Sequence, residues 1–155
     1  RSGVRMVPPL LYLLTFAAGL LLQRYAPAAL SDPGSQWIGG LLLLVSAGLG
    51  GWSLFRVLRE RTSPLPIQPS TTLVITGPYR FIRNPMYVSL ILLYLGLALS
   101  LRMPWPILFL PIAQAVVRYH VVAGEEKYLE RKFGAAYVDY KARVPRWLPR
   151  IFRRK

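Results

Sequence analysis

Thr76–Val88 reads TGPYRFIRNPMYV, and it divides the chain: a polar, proline-rich connection precedes it, and a long apolar run begins inside it at Pro85. Gly77-Pro78 and Asn84-Pro85 are turn or helix-start signals, because proline fixes its own φ and pushes the residue before it out of the α region. Arg80 and Arg83 are therefore carried on constrained backbone, among aromatic rings, at the edge of an apolar segment. Such a corner starts a span at Pro85 and is expected to form the front wall of a binding site.

Outward from this corner the composition sets the fold class. The 155 residues are one domain by length, yet 54% are hydrophobic and the formal net charge is +14; the mean hydropathy is +0.36. These values rarely coexist in a soluble domain. They are reconciled if apolar residues form membrane spans and the charges lie in the connections. Uncharged runs predict spans at about 6–23, 37–55, 85–101 and 104–122, with a loop over 56–84. The expected architecture is an all-α, integral-membrane fold of about four transmembrane helices plus a C-terminal amphipathic cytoplasmic helix and basic tail over 125–155.

Each span carries a signature. Pro8 and Pro9 sit where a helix N-terminus tolerates proline, and Trp37 suits an interfacial belt. In the second span, Ser46 with Gly50 and Ala47 with Gly51 fit the small-xxx-small spacing that lets a neighbouring helix approach. The fourth span has only the 15 uncharged residues 103–117, roughly 23 Å of helix, so Arg118 must snorkel or face protein. Arg102 to Pro104 leaves only a tight turn between the last two spans, making them an antiparallel hairpin. Beyond Glu125, the residues Tyr128, Leu129, Phe133, Tyr137, Tyr140 and Val144 recur at helical spacing among charges. Gly134 interrupts that helix, and Pro145 and Pro149 close it. The Arg1–Arg5 opening shows no cleavable-signal pattern, so the first span is expected to remain.

With the N-terminus cytoplasmic, 18 of the 20 basic residues fall on the inner side, leaving only Arg24 and Arg102 outside. The positive-inside rule therefore gives both termini cytoplasmic. The charge is then a topology signal and an attraction to anionic lipid headgroups, and nucleic acid is not an expected partner. Cysteine is absent, so disulfides, thiolate metal sites and a cysteine nucleophile are excluded. One histidine, His120, and six acidic residues leave no basis for a multi-ligand metal site.

This orientation brings the opening stretch, the 56–84 loop and the C-terminal helix to one side. Four of the six acids, Glu125, Glu126, Glu130 and Asp139, lie there, and carboxylates at a membrane edge need partners. Glu125 and Glu126 either staple helices by pairing with Arg80, Arg83 or Arg118, or take polar or cationic groups of a ligand whose carboxylate goes to an arginine. A zwitterionic ligand suits such a site. Tyr79, Tyr87, Tyr137 and Tyr140 either anchor the interface or face a ligand cation or base.

GPYRFIRNPMY followed by EEKYLERKFGAAYVDYKARVPRW, over about residues 62–149, resembles the isoprenylcysteine carboxyl methyltransferase-like family of integral-membrane methyltransferases, with its small prokaryotic members and the related phospholipid methyltransferases. The resemblance implies transfer of a methyl group from S-adenosylmethionine to a lipophilic acceptor arriving from the bilayer: an isoprenylcysteine-type carboxylate, a phospholipid amine or a thiol. It implies cofactor contacts from Gly77, Tyr79, Arg83, Asn84, Pro85, His120, Glu125, Glu126, Tyr137 and Tyr140. Arg83, Tyr87 and Glu126 are its catalytic candidates. Many relatives have histidine where this chain has Asn84, and an amide can only hydrogen-bond, so Asn84 is assigned to positioning. Two other classes compete: an NADPH-dependent reductase of the sterol-reductase type, whose C-terminal pattern is similar, and a non-enzymatic four-span scaffold binding anionic lipid.

Overall fold

A computed structural model describes residues 7–62 and 71–149. Arg1 to Met6, Pro64, Pro66, Pro69 and the basic tail Arg150 to Lys155 lie outside the described residues. Within them every regular element is helical: α1 (Pro8–Tyr25), α2 (Gly34–Arg59), a single 3-10 turn (Gly77–Arg80), α3 (Pro85–Ser100), α4 (Pro104–Val116), a π-helical turn (Val117–Val122), α5 (Ala123–Phe133) and α6 (Ala135–Arg143). α1, α3 and α4 all begin on proline, whose fixed φ and missing N–H cost nothing in a first turn.

Several boundaries differ from the sequence reading: α1 runs on to Tyr25 and α2 begins at Gly34. α2 runs to Arg59 rather than ending near Phe55, because arginine marks the edge of an apolar layer without breaking a helix. The fourth span and the helix after it are likewise continuous from Pro104 to Phe133. The break comes at Gly134, whose φ of 55° ends α5 and starts α6.

The bundle pairs α1 with α4 and α2 with α3. Small residues make the second contact close: a Cβ on Gly39 would lie 2.6 Å from the Ser100 nitrogen and 2.8 Å from the Gly96 carbonyl. The Ser46 hydroxyl donates to the Ser89 carbonyl at 2.8 Å. Of the two small-xxx-small pairs, Ser46 and Gly50 therefore face α3, whereas Gly51 meets nothing within 4 Å. Tyr12, Tyr94, Leu110, Ala113, Val117 and Val122 form the interior of the bundle.

The outside is more apolar than a water-facing surface. Leu13, Leu44 and Leu108 are 64%, 73% and 63% exposed, while Ser46, Ser53 and Ser89 are buried. α2 and the Pro104–Phe133 helix are each long and apolar enough to cross a membrane; α3 is a shorter apolar helix. One end of the bundle is tied by its turns: the Arg102 guanidinium donates to the Leu30 carbonyl, and the Trp105 indole to that of Ala26. The 3-10 turn, α5 and α6 gather at the other end.

Candidate functional site

At that end the C-terminal segment lies along the front corner. The Arg83 backbone N–H donates to the Pro145 carbonyl at 2.9 Å, and the Asn84 amide to that of Arg146 at 3.3 Å. The Tyr140 hydroxyl donates to the Tyr79 carbonyl at 2.7 Å. Gly77, with φ +62°, packs its bare Cα under Arg56 and Trp52 of α2; a Cβ there would lie 2.7 Å from Arg56 Cγ. The corner is thus clamped between α2 and the residues that follow α6.

Between these walls is a cavity of about 110 Å³. Arg83, Tyr87, Glu125, Glu126, Tyr79, Tyr137 and Tyr140 give it a polar and aromatic lining, and Val57, Leu73, Val74, Met86 and Leu129 an apolar one. Glu126 is buried and holds two guanidinium groups. Its Oε1 accepts from Arg83 Nη1 at 2.7 Å and from Arg146 Nε at 3.0 Å; its Oε2 accepts from Arg146 Nη2 at 2.7 Å. Glu125 is different: its Oε2 accepts from the Tyr87 hydroxyl at 2.9 Å, and among the described residues no cation pairs with it. Arg83 is nine-tenths buried, yet its Nε has no hydrogen-bond partner.

Burial dominates the electrostatics. It raises the Glu125 carboxyl above the ordinary carboxylate range; the Tyr87 hydroxyl pulls it down and neighbouring Glu126 pushes it up again. Burial likewise raises the Tyr79 and Tyr140 phenols. Tyr137 is pushed up to about 12, first by burial and then by Glu126. The bidentate contact with Glu126 raises Arg146.

Of the residues read from sequence, Tyr79, Arg83, Asn84, Tyr87, Glu125, Glu126, Tyr137 and Tyr140 line the one cavity. Gly77 and Pro85 are buried in the corner beside it. His120 is exposed and is not among the lining residues: the π turn carries Arg118, Tyr119 and His120 outward. Among the described residues Arg80 and Arg118 form no ion pair with an acid; each lies over a neighbouring ring, Phe81 and Tyr119. Arg146 was the residue missed. The signal for it was Val144-Pro145, which ends α6 in extended backbone and aims the next side chain back at α5.

The phospholipid methyltransferase family profile matches residues 35–136 of the chain, covering α2 to the start of α6. A cobalt-zinc-cadmium resistance protein of Cupriavidus metallidurans is 31% identical over 120 residues, 76% of this chain and 55% of that protein. Protein-S-isoprenylcysteine O-methyltransferase B of Arabidopsis thaliana is 31% identical over 110 residues, 68% of this chain and 50% of that protein. A Haemophilus influenzae protein is 43% identical over 63 residues, which are 41% of this chain and the whole of that protein. The chain thus spans about half the length of the first two relatives. Matched over more than half its residues, with a bundle whose apolar side chains face outward, this membrane protein belongs to the phospholipid methyltransferase family.

Proposed function

We propose that this protein transfers a methyl group from S-adenosylmethionine to a lipophilic acceptor at the cytoplasmic face of a membrane that the chain crosses four times, with both termini cytoplasmic. The observation that carries the reading is the cavity in which Arg83–Glu126 and Tyr87–Glu125 meet at the polar end of an apolar bundle. Its donor set suits a zwitterion joined to a cationic centre. The Arg83 guanidinium, which lines the cavity, suits a carboxylate, and the carboxylates with four tyrosine rings can hold cationic charge.

When bound, S-adenosylmethionine supplies a methyl group on a positively charged sulfur. The chain's task is then to position and to exclude water. Glu126 and Arg146 lock the Arg83 guanidinium in place, Asn84 holds the C-terminal segment against the corner, and Leu73, Val74, Met86 and Leu129 keep the cavity apolar on one side. Tyr87, at the start of α3, shapes the side open to an acceptor from the bilayer. A carboxylate, thiol or amine all suit this arrangement, and the basic residues of the C-terminal segment attract anionic headgroups.

The test is labelled methyl transfer from S-adenosylmethionine into a panel of phospholipids, isoprenylated cysteines and lipophilic thiols, using the detergent-purified protein. A labelled lipid-soluble product that disappears in Arg83→Ala is expected. No product with any acceptor, together with no saturable S-adenosylmethionine binding, overturns the proposal.

A further inference from the structure

The segment after α6 sends a second side chain into the bundle. Val144 is in extended backbone, Arg146 reaches Glu126, and the residue after it, Trp147, packs against the buried interior of the bundle. The Arg146 carbonyl accepts from the Asn84 amide at 3.3 Å, which holds Trp147 near the start of α3. The indole Nε1 of Trp147 is buried, and among the described residues it has no hydrogen-bond partner. A buried indole N–H ordinarily finds an acceptor, because leaving it unpaired forfeits its hydration with nothing in return. Trp105, at the opposite end of the bundle, follows that rule and donates to the Ala26 carbonyl at 2.7 Å. The hydroxyls of the interior are turned to other partners: Tyr12 donates to the Gln114 side-chain oxygen at 2.7 Å and Tyr94 to the Pro106 carbonyl at 2.6 Å.

What surrounds this donor suits a hydrocarbon chain. The helix pairs α1–α4 and α2–α3 meet along the interior, and there α1 and α3 contribute the half-buried Leu11, Phe16, Leu90, Ile91 and Leu95. Tyr87 belongs to both regions, since its ring packs against the interior while it also lines the cavity, where its hydroxyl meets Glu125. A chain lying in the seam between α1 and α3 would therefore bring its polar head to Tyr87 and the Trp147 N–H together.

We infer that Trp147 selects the methyl acceptor, its indole N–H donating to an oxygen of the acceptor's head while the hydrocarbon chain lies between α1 and α3. This rests on the methyl-transfer reading and narrows it. An indole N–H only donates, so a carboxylate or phosphodiester oxygen satisfies it, a thiol sulfur does so poorly and an ammonium cannot. The acceptor class is therefore a lipid with an oxygen beside the methylated atom: a lipid carboxylate, or an amine next to a phosphodiester. A lipophilic thiol without such an oxygen is disfavoured. Trp147 acts on specificity alone, leaving the methyl donor to the residues of the cavity.

The chain has four tryptophans, so NMR of the full-length protein with isotope-labelled indole nitrogens resolves four N–H signals, and the one missing from Trp147→Phe belongs to Trp147. Phosphatidylethanolamine or S-farnesylcysteine should move that signal downfield, and dodecanethiol should leave it where dodecane does. Which of the two lipids moves it distinguishes a phosphodiester from a carboxylate. In the transfer assay Trp147→Phe keeps an apolar ring and removes the donor. It should raise KM about tenfold for the acceptor that moves the signal, with KM for S-adenosylmethionine unchanged. Should Trp147→Phe fail to fold, Trp37→Phe, Trp52→Phe and Trp105→Phe identify the remaining signal by elimination. A Trp147 signal that neither oxygen-bearing lipid moves, an unchanged acceptor KM in Trp147→Phe, or wild type that methylates the thiol alone overturns the inference and leaves the methyl-transfer reading standing. Wild type that binds no S-adenosylmethionine and methylates no acceptor overturns that reading, and the inference with it.

Discussion

A single carboxylate, Glu126, joins three elements that are far apart in sequence: the corner at Arg83, the helix α5 that carries it, and the segment after α6 at Arg146. Breaking a buried ion pair from one side leaves the partner's charge uncompensated, at about 3–5 kcal/mol. Glu126→Gln should therefore lower the thermal midpoint strongly. Arg146→Ala should lower it less, because the Arg146 side chain is 29% exposed, against 10% for Arg83. Equal effects in thermal unfolding would contradict this ranking. That Arg83 faces the acids was legible from sequence, since an apolar run starting at Pro85 and acids just past the next apolar run, with a tight turn between the two, come to one end of a helical hairpin. Arg146 went unread: Val144-Pro145 signalled that α6 ends in extended backbone, but that this end is held against the corner depends on the backbone hydrogen bond from Arg83 to Pro145, a contact between segments far apart in the chain.

At the scale of elements, the helix that leaves the bundle interior to form the site has one residue too many for an α-helix. Its buried positions are Pro106, Leu110, Ala113, Val117, Val122 and Glu126. Steps of three and four keep one face inward, but the step of five from Val117 to Val122 would turn that face away by more than 100° in α geometry. The π turn absorbs the surplus, keeping Glu126 on the inward face and pushing Arg118, Tyr119 and His120 outside. Deleting His120 restores a step of four. The helix is then expected to become regular without loss of thermal stability, while α5 draws back by about 1.5 Å and S-adenosylmethionine binding weakens severalfold. Unchanged binding would show that the site does not depend on the wide turn. Uncharged runs made the helices themselves readable. The π turn and the unbroken passage from span to C-terminal helix were not, because a rule that ends spans at the first charges cannot see a backbone that carries on past them.

For the molecule as a whole, the two ends of the bundle are unlike. At one, the short turns after α1 and α3 are tied through Arg102 to Leu30 and Trp105 to Ala26, with no cavity-lining residue among them. At the other, residues 71–84, α5 and α6 enclose the cavity beside a surplus of arginine and lysine. If the basic end is cytoplasmic, a water-soluble donor meets the cavity directly while a lipophilic acceptor reaches it along the apolar helices. The absence of cysteine makes this orientation open to a clean measurement, since each introduced thiol is the only one present. Ser31→Cys, exposed in the α1–α2 turn, should react with an impermeant maleimide from the outer side of sealed vesicles. Ala136→Cys, exposed on α6, should react only when the inner side is presented. Labelling of both from one side would mean that the ends do not lie on opposite faces of the membrane. Ala136→Cys labelled from the outer side and Ser31→Cys from the inner would invert the orientation and leave the cavity facing away from the cytoplasmic donor.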